Sequence, residues 1–430
     1  MTDTGRTSTA RAGLLTAFAA FSTYFCMHGF RKPFTAATFD GEFVFGMPFK
    51  QCLILAQLCG YMAAKVVGVK FISEMPPVRR GAMILLMIGV AELSLLGFAV
   101  LPRPLGVLML FVNGFPLGMI FGLVLSYLEG RRHTEALAAG LCASFIMASG
   151  VVKSIGRSLV VDYGVSEFTM PAATGILFLP LMFFFVWLLQ KTPPPTEEDL
   201  RLRSARTVMS GQQRWNFLKH YAPGLSLLLA VYVVLTAART MRDDFAVEIW
   251  QGLGVDRRPE VFAQSETIVA VIATALNALA ICFVRNLTAL IATATLMSFG
   301  FAVAALAAVG QSAGQVSAFV FMVACGIGLY LPYVAFHTTV FERLIAASRR
   351  PGNLAFLMYL ADSLGYLGYA AVMGWKMADP PSDGVLPLFR WTLIITGGFC
   401  ITALIAAMVW FRANLQRPTT DEEDAEPRPS

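Results

Sequence analysis

The chain has 430 residues, 57% of them apolar and only 14% charged, with a formal net charge of +6. A soluble domain carries about a quarter charged residues, so this composition excludes an ordinary soluble globule. Apolar runs of 18 or more residues recur from end to end, each long enough to cross a ~30 Å hydrocarbon core, and none alternates as a β-barrel strand does.

The runs predict a first set of six spans at 12–32, 50–73, 81–101, 104–128, 136–160 and 170–190. Span 1 carries Tyr24, His28 and the pair Arg31-Lys32, and has no small-residue cleavage site, so it reads as a retained span rather than a signal peptide. Span 2 carries Lys65, about 22 Å from its outer end, too deep to snorkel easily. Glu92 lies in span 3, and span 4 opens with Asn113-Gly-Phe-Pro-Leu-Gly118, whose small residues favour close helix approach. Span 5 holds Lys153 and Arg157, one turn apart.

A polar stretch follows, from Lys191 to Tyr221. It begins Thr-Pro-Pro-Pro, and Thr196-Glu-Glu-Asp then resembles a helix start with acids in the first turn. The second set of spans is predicted at 223–246, 262–284, 287–309, 315–341, 352–376 and 386–411. Span 7 carries Tyr232, Arg239 and Arg242, span 10 carries His337, and span 11 carries Tyr359, Asp362 and Tyr366. The acidic, Pro-containing tail after Pro418 reads as disordered.

The fold class is therefore an all-α membrane protein of twelve transmembrane helices in two pseudo-symmetric six-helix bundles. The divisions are 1–190 for the N-terminal half, 191–222 for a cytoplasmic linker, 223–411 for the C-terminal half and 412–430 for the tail. The halves echo each other: Tyr24 and Arg31 are seven residues apart, as are Tyr232 and Arg239. In repeat-built transporters the substrate site lies between such repeats at the midplane. Basic residues concentrate in the segments that share a side with both termini, which places the termini in the cytoplasm. The net positive charge is this topology signal and implies no nucleic-acid partner. Arg outnumbers Lys 25 to 8, a bias that fits a GC-rich bacterial genome and an inner-membrane location.

An ionisable side chain at mid-bilayer is expensive unless it meets a partner or a wet cavity, so these residues are the candidates. The balance is cationic: His28, Arg31, Lys65, Lys153 and Arg239 against Glu92 and Asp362. Uncompensated positive charge attracts an anion, and a guanidinium fork matches phosphate or carboxylate in bidentate fashion. Each residue also has a structural reading. Lys32 snorkels to headgroups, Lys65 pairs with Asp362 or Glu92, Lys153 pairs with Asp362, and Arg242 pairs with Asp243 or Asp244. His28 and His337 are packing histidines, and Glu92 is a buried, hydrogen-bonded acid. The seven cysteines all fall in apolar runs and read as small buried hydrophobes. The four histidines lie on separate segments and there is no Gly-Lys-Ser/Thr phosphate loop, so no metal site, cofactor, ATP motor or enzyme is predicted.

Over essentially its whole length the chain resembles the major facilitator superfamily. The nearest likeness is to its organophosphate:phosphate antiporters. It is carried by Tyr24…Arg31-Lys32-Pro-Phe34, by Tyr61-Met-Ala-Ala-Lys65, by Arg239 after Tyr232, and by Leu364-Gly-Tyr-Leu-Gly368. The stretch Arg31-Lys-Pro-Phe-Thr-Ala-Ala37 also resembles an uncharacterised bacterial family of facilitator relatives. The sequence departs from the antiporters at span 5, where Ser149 stands near the place of their histidine, with Lys153 one turn on.

The resemblance implies rocker-switch alternating access, with Arg31 and Arg239 holding an anionic group across the halves. The full expectation is a monomeric secondary transporter of a small organic anion, surrounded by membrane lipids. Lys65 and Lys153 add positive potential, and His28, Tyr24, Tyr232, Tyr359 and Tyr366 line the site. Asp362, or Glu92, serves coupling, with Asp362 pairing with Lys153 in the empty state. The rival readings are a transporter-like sensor of an anionic ligand and a lipid or lysolipid transporter.

Overall fold

The computed structural model describes residues 3–73, 75–128, 134–193, 211–256, 258–279, 283, 285–348, 353–378 and 384–415. The N-terminal set is α1 (Asp3–Arg31), α2 (Phe49–Ser73), α3 (Pro77–Val100), α4 (Arg103–Leu128), α5 (Thr134–Val161) and α6 (Met170–Gln190). A short α7 (Gly211–His220) leads into α8 (Ala222–Asp244), which is followed at once by the two-turn α9 (Ala246–Gly252). Then come α10 (Glu260–Ala278), α11 (Asn286–Ser312) and α12 (Ala318–Ala335). A π turn at Phe336–Val340 joins α12 to α13 (Phe341–Ser348), and α14 (Leu354–Ala378) and α15 (Val385–Asn414) complete the chain.

Spans 1–6 of the sequence are thus α1–α6. Spans 7–12 are α8, α10, α11, α12 with α13, α14 and α15. The predicted helix start at Thr196 and most of the predicted tail lie outside the described residues, while α15 runs past the predicted boundary at 411 to Asn414.

Lipid offers the backbone no hydrogen-bond partners, so each apolar run closes its amides within a helix. Ten helical segments among the described residues are long and apolar enough to cross a membrane. The other two long helices, α1 and α2, bury polar side chains along their length, which bears on function. Thr16, Thr23, His28, Lys50, Gln51 and Gln57 are buried on them, facing protein rather than lipid. Proline stands in the first turn of α3, α6 and α8, where its missing N–H costs nothing.

The two bundles meet mainly along α5 with α10 and α2 with α14. One face carries the ends of α1 and α8 and the start of α2, opposite the face where α1 begins and α15 ends; it is called the distal face below. There the chain between α1 and α2 forms a folded cap. It runs through a 3-10 turn (Pro33–Ala36) into a two-residue hairpin, β1 (Phe43–Val44) paired antiparallel with β2 (Met47–Pro48). Glu167 accepts hydrogen bonds from the amides of Thr38 (3.2 Å) and Phe39 (2.8 Å). Arg103 forks onto Glu42 with two contacts of 3.0 Å, which holds the Glu42 carboxyl below its usual range, and its guanidinium lies 3.8 Å from the Phe168 ring centroid. Four of the five described free cysteines are buried as expected; Cys59 is exposed.

Candidate functional site

Where the halves meet, the charged residues form two layers. The first seals the distal face. Lys32, at the end of α1, is buried and reaches Asp243 at 2.5 Å and Asp244 at 2.7 Å, the last two residues of α8. Lys153 of α5 is also bonded to Asp243, and Ser149 donates to the same carboxylate at 2.5 Å. Tyr369 of α14 donates to Asp244 at 2.8 Å. Lys50, at the start of α2, meets Glu248 of α9 at 2.6 Å and the Thr35 carbonyl at 3.2 Å. All three lysines belong to the N-terminal half and all three acids to the C-terminal half.

This arrangement corrects three sequence expectations. Lys32 does not snorkel: it is only 7% exposed, because two carboxylates wait for it across the seam. Lys153 pairs with Asp243 rather than with Asp362. Arg242 turns away from Asp243 and Asp244 and binds Glu266 of α10 at 2.7 Å, donating also to the Met322 carbonyl at 2.8 Å.

Beneath the seal lies a cluster of arginines packed on tyrosines. Arg31 sits with its guanidinium 4.3 Å from the ring centroid of Tyr61 on α2. Arg239 sits likewise over Tyr333 of α12, at 4.2 Å, and its Nη2 donates to Thr240 at 3.2 Å. The repeat seen in the sequence is kept at the arginines but not at their partners, since one ring comes from the second span and the other from the tenth. Neither arginine meets a carboxylate among the described residues, and the Nε of each is buried without a hydrogen-bond partner. A cation over an aromatic face is held by roughly 0.5–2 kcal/mol and still has its N–H donors free to bind acceptor oxygens.

The second layer lies one turn further from the distal face. Lys65 of α2 bonds Asp362 of α14 at 2.5 Å, the pairing expected for it, and this bond also crosses between the halves. The other oxygen of Asp362 accepts from the Tyr232 hydroxyl at 2.5 Å and lies 3.9 Å from Nε2 of His337. Tyr366 packs edge-on against Tyr61 at 5.7 Å and lies 4.8 Å from the Lys65 ammonium. Tyr333, Tyr232 and His337 form one ring cluster, with centroid separations of 4.3 to 6.0 Å.

The predicted site residues therefore divide. Arg31, Arg239, Lys65, Tyr232, Tyr366 and Asp362 gather in one cluster; Lys153 belongs to the seal above it. Tyr24 and His28 are buried beside this cluster on α1. Tyr24 packs edge-on against His28 and Phe121, and His28 Nδ1 is bonded to the Tyr24 carbonyl at 3.0 Å. Tyr359 is 46% exposed, because it lies one turn before Asp362, beyond the tyrosine wall. Glu92 is in the N-terminal bundle, its carboxylate against Gly175 of α6, and neither oxygen has a partner among the described residues. The expected hydrogen bonds of that acid are not there, and it is remote from the Lys65–Asp362 layer.

Sequence reasoning missed Tyr61 as the seat of Arg31, Tyr333 as the seat of Arg239, and Gln57 and Asn113. Gln57 donates to the Arg31 carbonyl at 2.9 Å and to Asn113 Oδ1 at 2.8 Å, and Asn113 donates to the Phe30 carbonyl at 3.1 Å. Buried amides facing the end of α1 were the available signal. Among the described residues no cluster of three or more His, Cys, Asp or Glu is placed to hold a metal.

A model described as a family of unknown function (DUF5690) matches residues 33–414. The chain belongs to this family. No curated protein matches it in sequence. Among solved structures, a D-xylose-proton symporter superposes with a TM-score of 0.60 at 14% identity, covering 92% of this chain and 96% of that one. A single-residue mutant of the nucleoside transporter NupG superposes with a TM-score of 0.61 at 13% identity, covering 93% of this chain and 100% of that one. At such identities the likeness establishes the fold: this DUF5690 chain is a multi-pass protein with the twelve-helix, two-bundle architecture of the major facilitators.

Proposed function

We propose that the protein is a secondary active transporter of a small organic anion, phosphorylated or carboxylated, working by alternating access between its two halves. One observation carries the anion. Lys32, Lys50, Lys65, Lys153 and Arg242 each meet a carboxylate, whereas Arg31 and Arg239 meet none among the described residues. Two guanidinium groups, one from each half, each resting on a tyrosine ring with its Nε buried and unpartnered, form the proposed receptor for an anionic group that brings its own acceptor oxygens. Transport is supported by the fold and by the two solved neighbours, a proton symporter and a nucleoside transporter.

The proposed setting is the bacterial inner membrane with both termini cytoplasmic. The seal of three lysines and three acids then closes the route to the outside. Rocking the halves apart on that face breaks it, and the Lys65–Asp362 bond is the corresponding tie on the cytoplasmic side of the two arginines.

The test is a thermal-shift screen of the purified protein against inorganic phosphate, sugar phosphates, glycerol phosphates and di- and tricarboxylates, with neutral sugars as controls. A ligand at 100 times its Kd stabilises by about 2.7 kcal/mol. The expected result is a shift with an anion that is lost in both Arg31→Gln and Arg239→Gln. A response that survives in both variants removes the two-arginine site. No response to any anion moves the protein to the lipid reading. Binding without flux in vesicles makes it a sensor.

A further inference from the structure

The π turn at Phe336–Val340 is the one interruption of the long helix formed by α12 and α13. Such turns insert one residue into the ladder and re-aim the side chains around them, and they recur at functional sites. Here the re-aimed residue is His337. Its Nδ1 is held by the Tyr333 carbonyl at 2.9 Å, a contact in which the ring nitrogen must carry the proton. Nε2 is left as the titratable nitrogen, and it points at Asp362 Oδ1 from 3.9 Å. That gap is too long for a hydrogen bond and short enough for one to form by a small ring movement. His28 has the same Nδ1 contact one turn back but sits beside Arg31 and Lys32 with no carboxylate bond, so the two histidines are not equivalent.

We infer that His337 and Asp362 form a proton-binding site whose occupancy unlatches α2 from α14. In the present arrangement Asp362 gives one oxygen to Lys65 and the other to Tyr232. A proton taken from water by Nε2 turns His337 into a cation, and its new N–H competes for Asp362 Oδ1. The carboxylate charge is then shared between two cations, which also repel each other, and the hold on Lys65 weakens. Lys65 is released, and its ammonium joins Arg31 and Arg239 in facing an incoming anion. Loss of the proton restores the latch. In the transport reading on which this rests, the proton is the coupling ion and enters with the anion.

The surroundings leave His337 as the group that titrates. Arg239 and Tyr232 face it from α8, Lys65 from α2 and Asp362 from α14. The α5 side of the turn carries Phe145 against Tyr333, and the nearest lysine of α5, Lys153, is committed to Asp243. Helix α11, packed on the same turn, has no ionisable residue. Beyond the turn, Arg343 donates to Asn286, and Glu342 lies next to it on the same helix.

The test needs no ligand. Spin labels on Val67→Cys of α2 and Leu354→Cys of α14, in the full chain with its native cysteines replaced, read the separation of the two helices in nanodiscs. The expected result is one short distance at alkaline pH and a second, longer population growing as the pH is lowered. His337→Gln should hold the short distance at every pH, and Asp362→Asn the longer one at every pH. A wild type without pH dependence overturns the inference, as does a His337→Gln variant that titrates like wild type, or an Asp362→Asn variant that stays latched. These outcomes are independent of Arg31 and Arg239, so loss of anion binding in the thermal-shift screen counts against the transport reading and not against the latch.

Discussion

Arg31 stands at the last turn of α1, where a helix ordinarily frays into free carbonyls. Its place is fixed by two amides on neighbouring helices. Gln57 caps its carbonyl, and Asn113 spans the Phe30 carbonyl on one side and the Ala91 carbonyl, 3.0 Å away, on the other. Asn113 is fully buried. Replacing it with Leu keeps the branched skeleton and removes every donor, so the expected cost is about 1 kcal/mol, in the range of hydrogen bonds between membrane helices. Because the lost bonds anchor Arg31, the variant should also need several-fold more anion to reach the wild-type thermal shift. An unchanged dose response would show that the amides serve stability alone. At this scale the sequence disclosed the charged residues, since any ionisable group in an apolar run stands out. It did not disclose their partners. The pairing of Lys153 with Asp243 rather than Asp362 depends on how deep each helix sits, and a one-turn error in depth exchanges one acid for another.

Helix α2 carries both Tyr61 and Lys65, and its height is set by its contact with α4. A methyl group on Gly60 would stand 2.2 Å from the Phe111 carbonyl oxygen, and one on Gly114 would stand 2.3 Å from that of Gln57. These obstacles are backbone, which cannot swing aside as a side chain can. Gly114→Ala is therefore expected to cost roughly 1–3 kcal/mol by overpacking and to push α2 off α4. Gly89→Ala, where a methyl group meets nothing within 4 Å, should be silent in the same unfolding assay. Equal stability of the two variants would mean that α2 and α4 are not tightly apposed. The glycines of span 4 were legible as a close-packing stretch, and most helix limits were legible within about four residues, but α1 begins at Asp3 rather than 12, α10 ends at Ala278 rather than 284 and α13 runs to Ser348 rather than 341. The π turn was not, because nothing in Phe-His-Thr-Thr-Val tells one extra residue in the ladder from an ordinary helical turn. Neither was the folded cap between α1 and α2, whose hairpin turns at Phe45 and Gly46, both with positive φ, where an Asn-Gly pair would have announced it.

Across the whole molecule, six-plus-six organisation follows from counting apolar runs around a polar linker, and that much the chain declares. Which face is shut it does not declare, since the alternate states of such a protein differ by only a few kcal/mol and share one sequence. The seal on the distal face shows what biases this one. Breaking a buried ion pair by removing one partner costs about 3–5 kcal/mol, as large as the whole difference between states. Lys50 and Glu248 are the pair to test, because they lie in the seal and bond neither Arg31 nor Arg239. Lys50→Gln should therefore shift the population toward the state open on the distal face. The reading is faster modification, by a membrane-impermeant thiol reagent added outside vesicles, of a cysteine placed at Ala37, buried in this state. Glu248→Gln should act in the same direction, and the exchange Lys50→Glu with Glu248→Lys should return the rate toward wild type. If each single variant reacts as slowly as wild type, the seal is held by Lys32 and Lys153 with Asp243 and Asp244 alone, and the Lys50 pair is a rim contact without influence on the equilibrium.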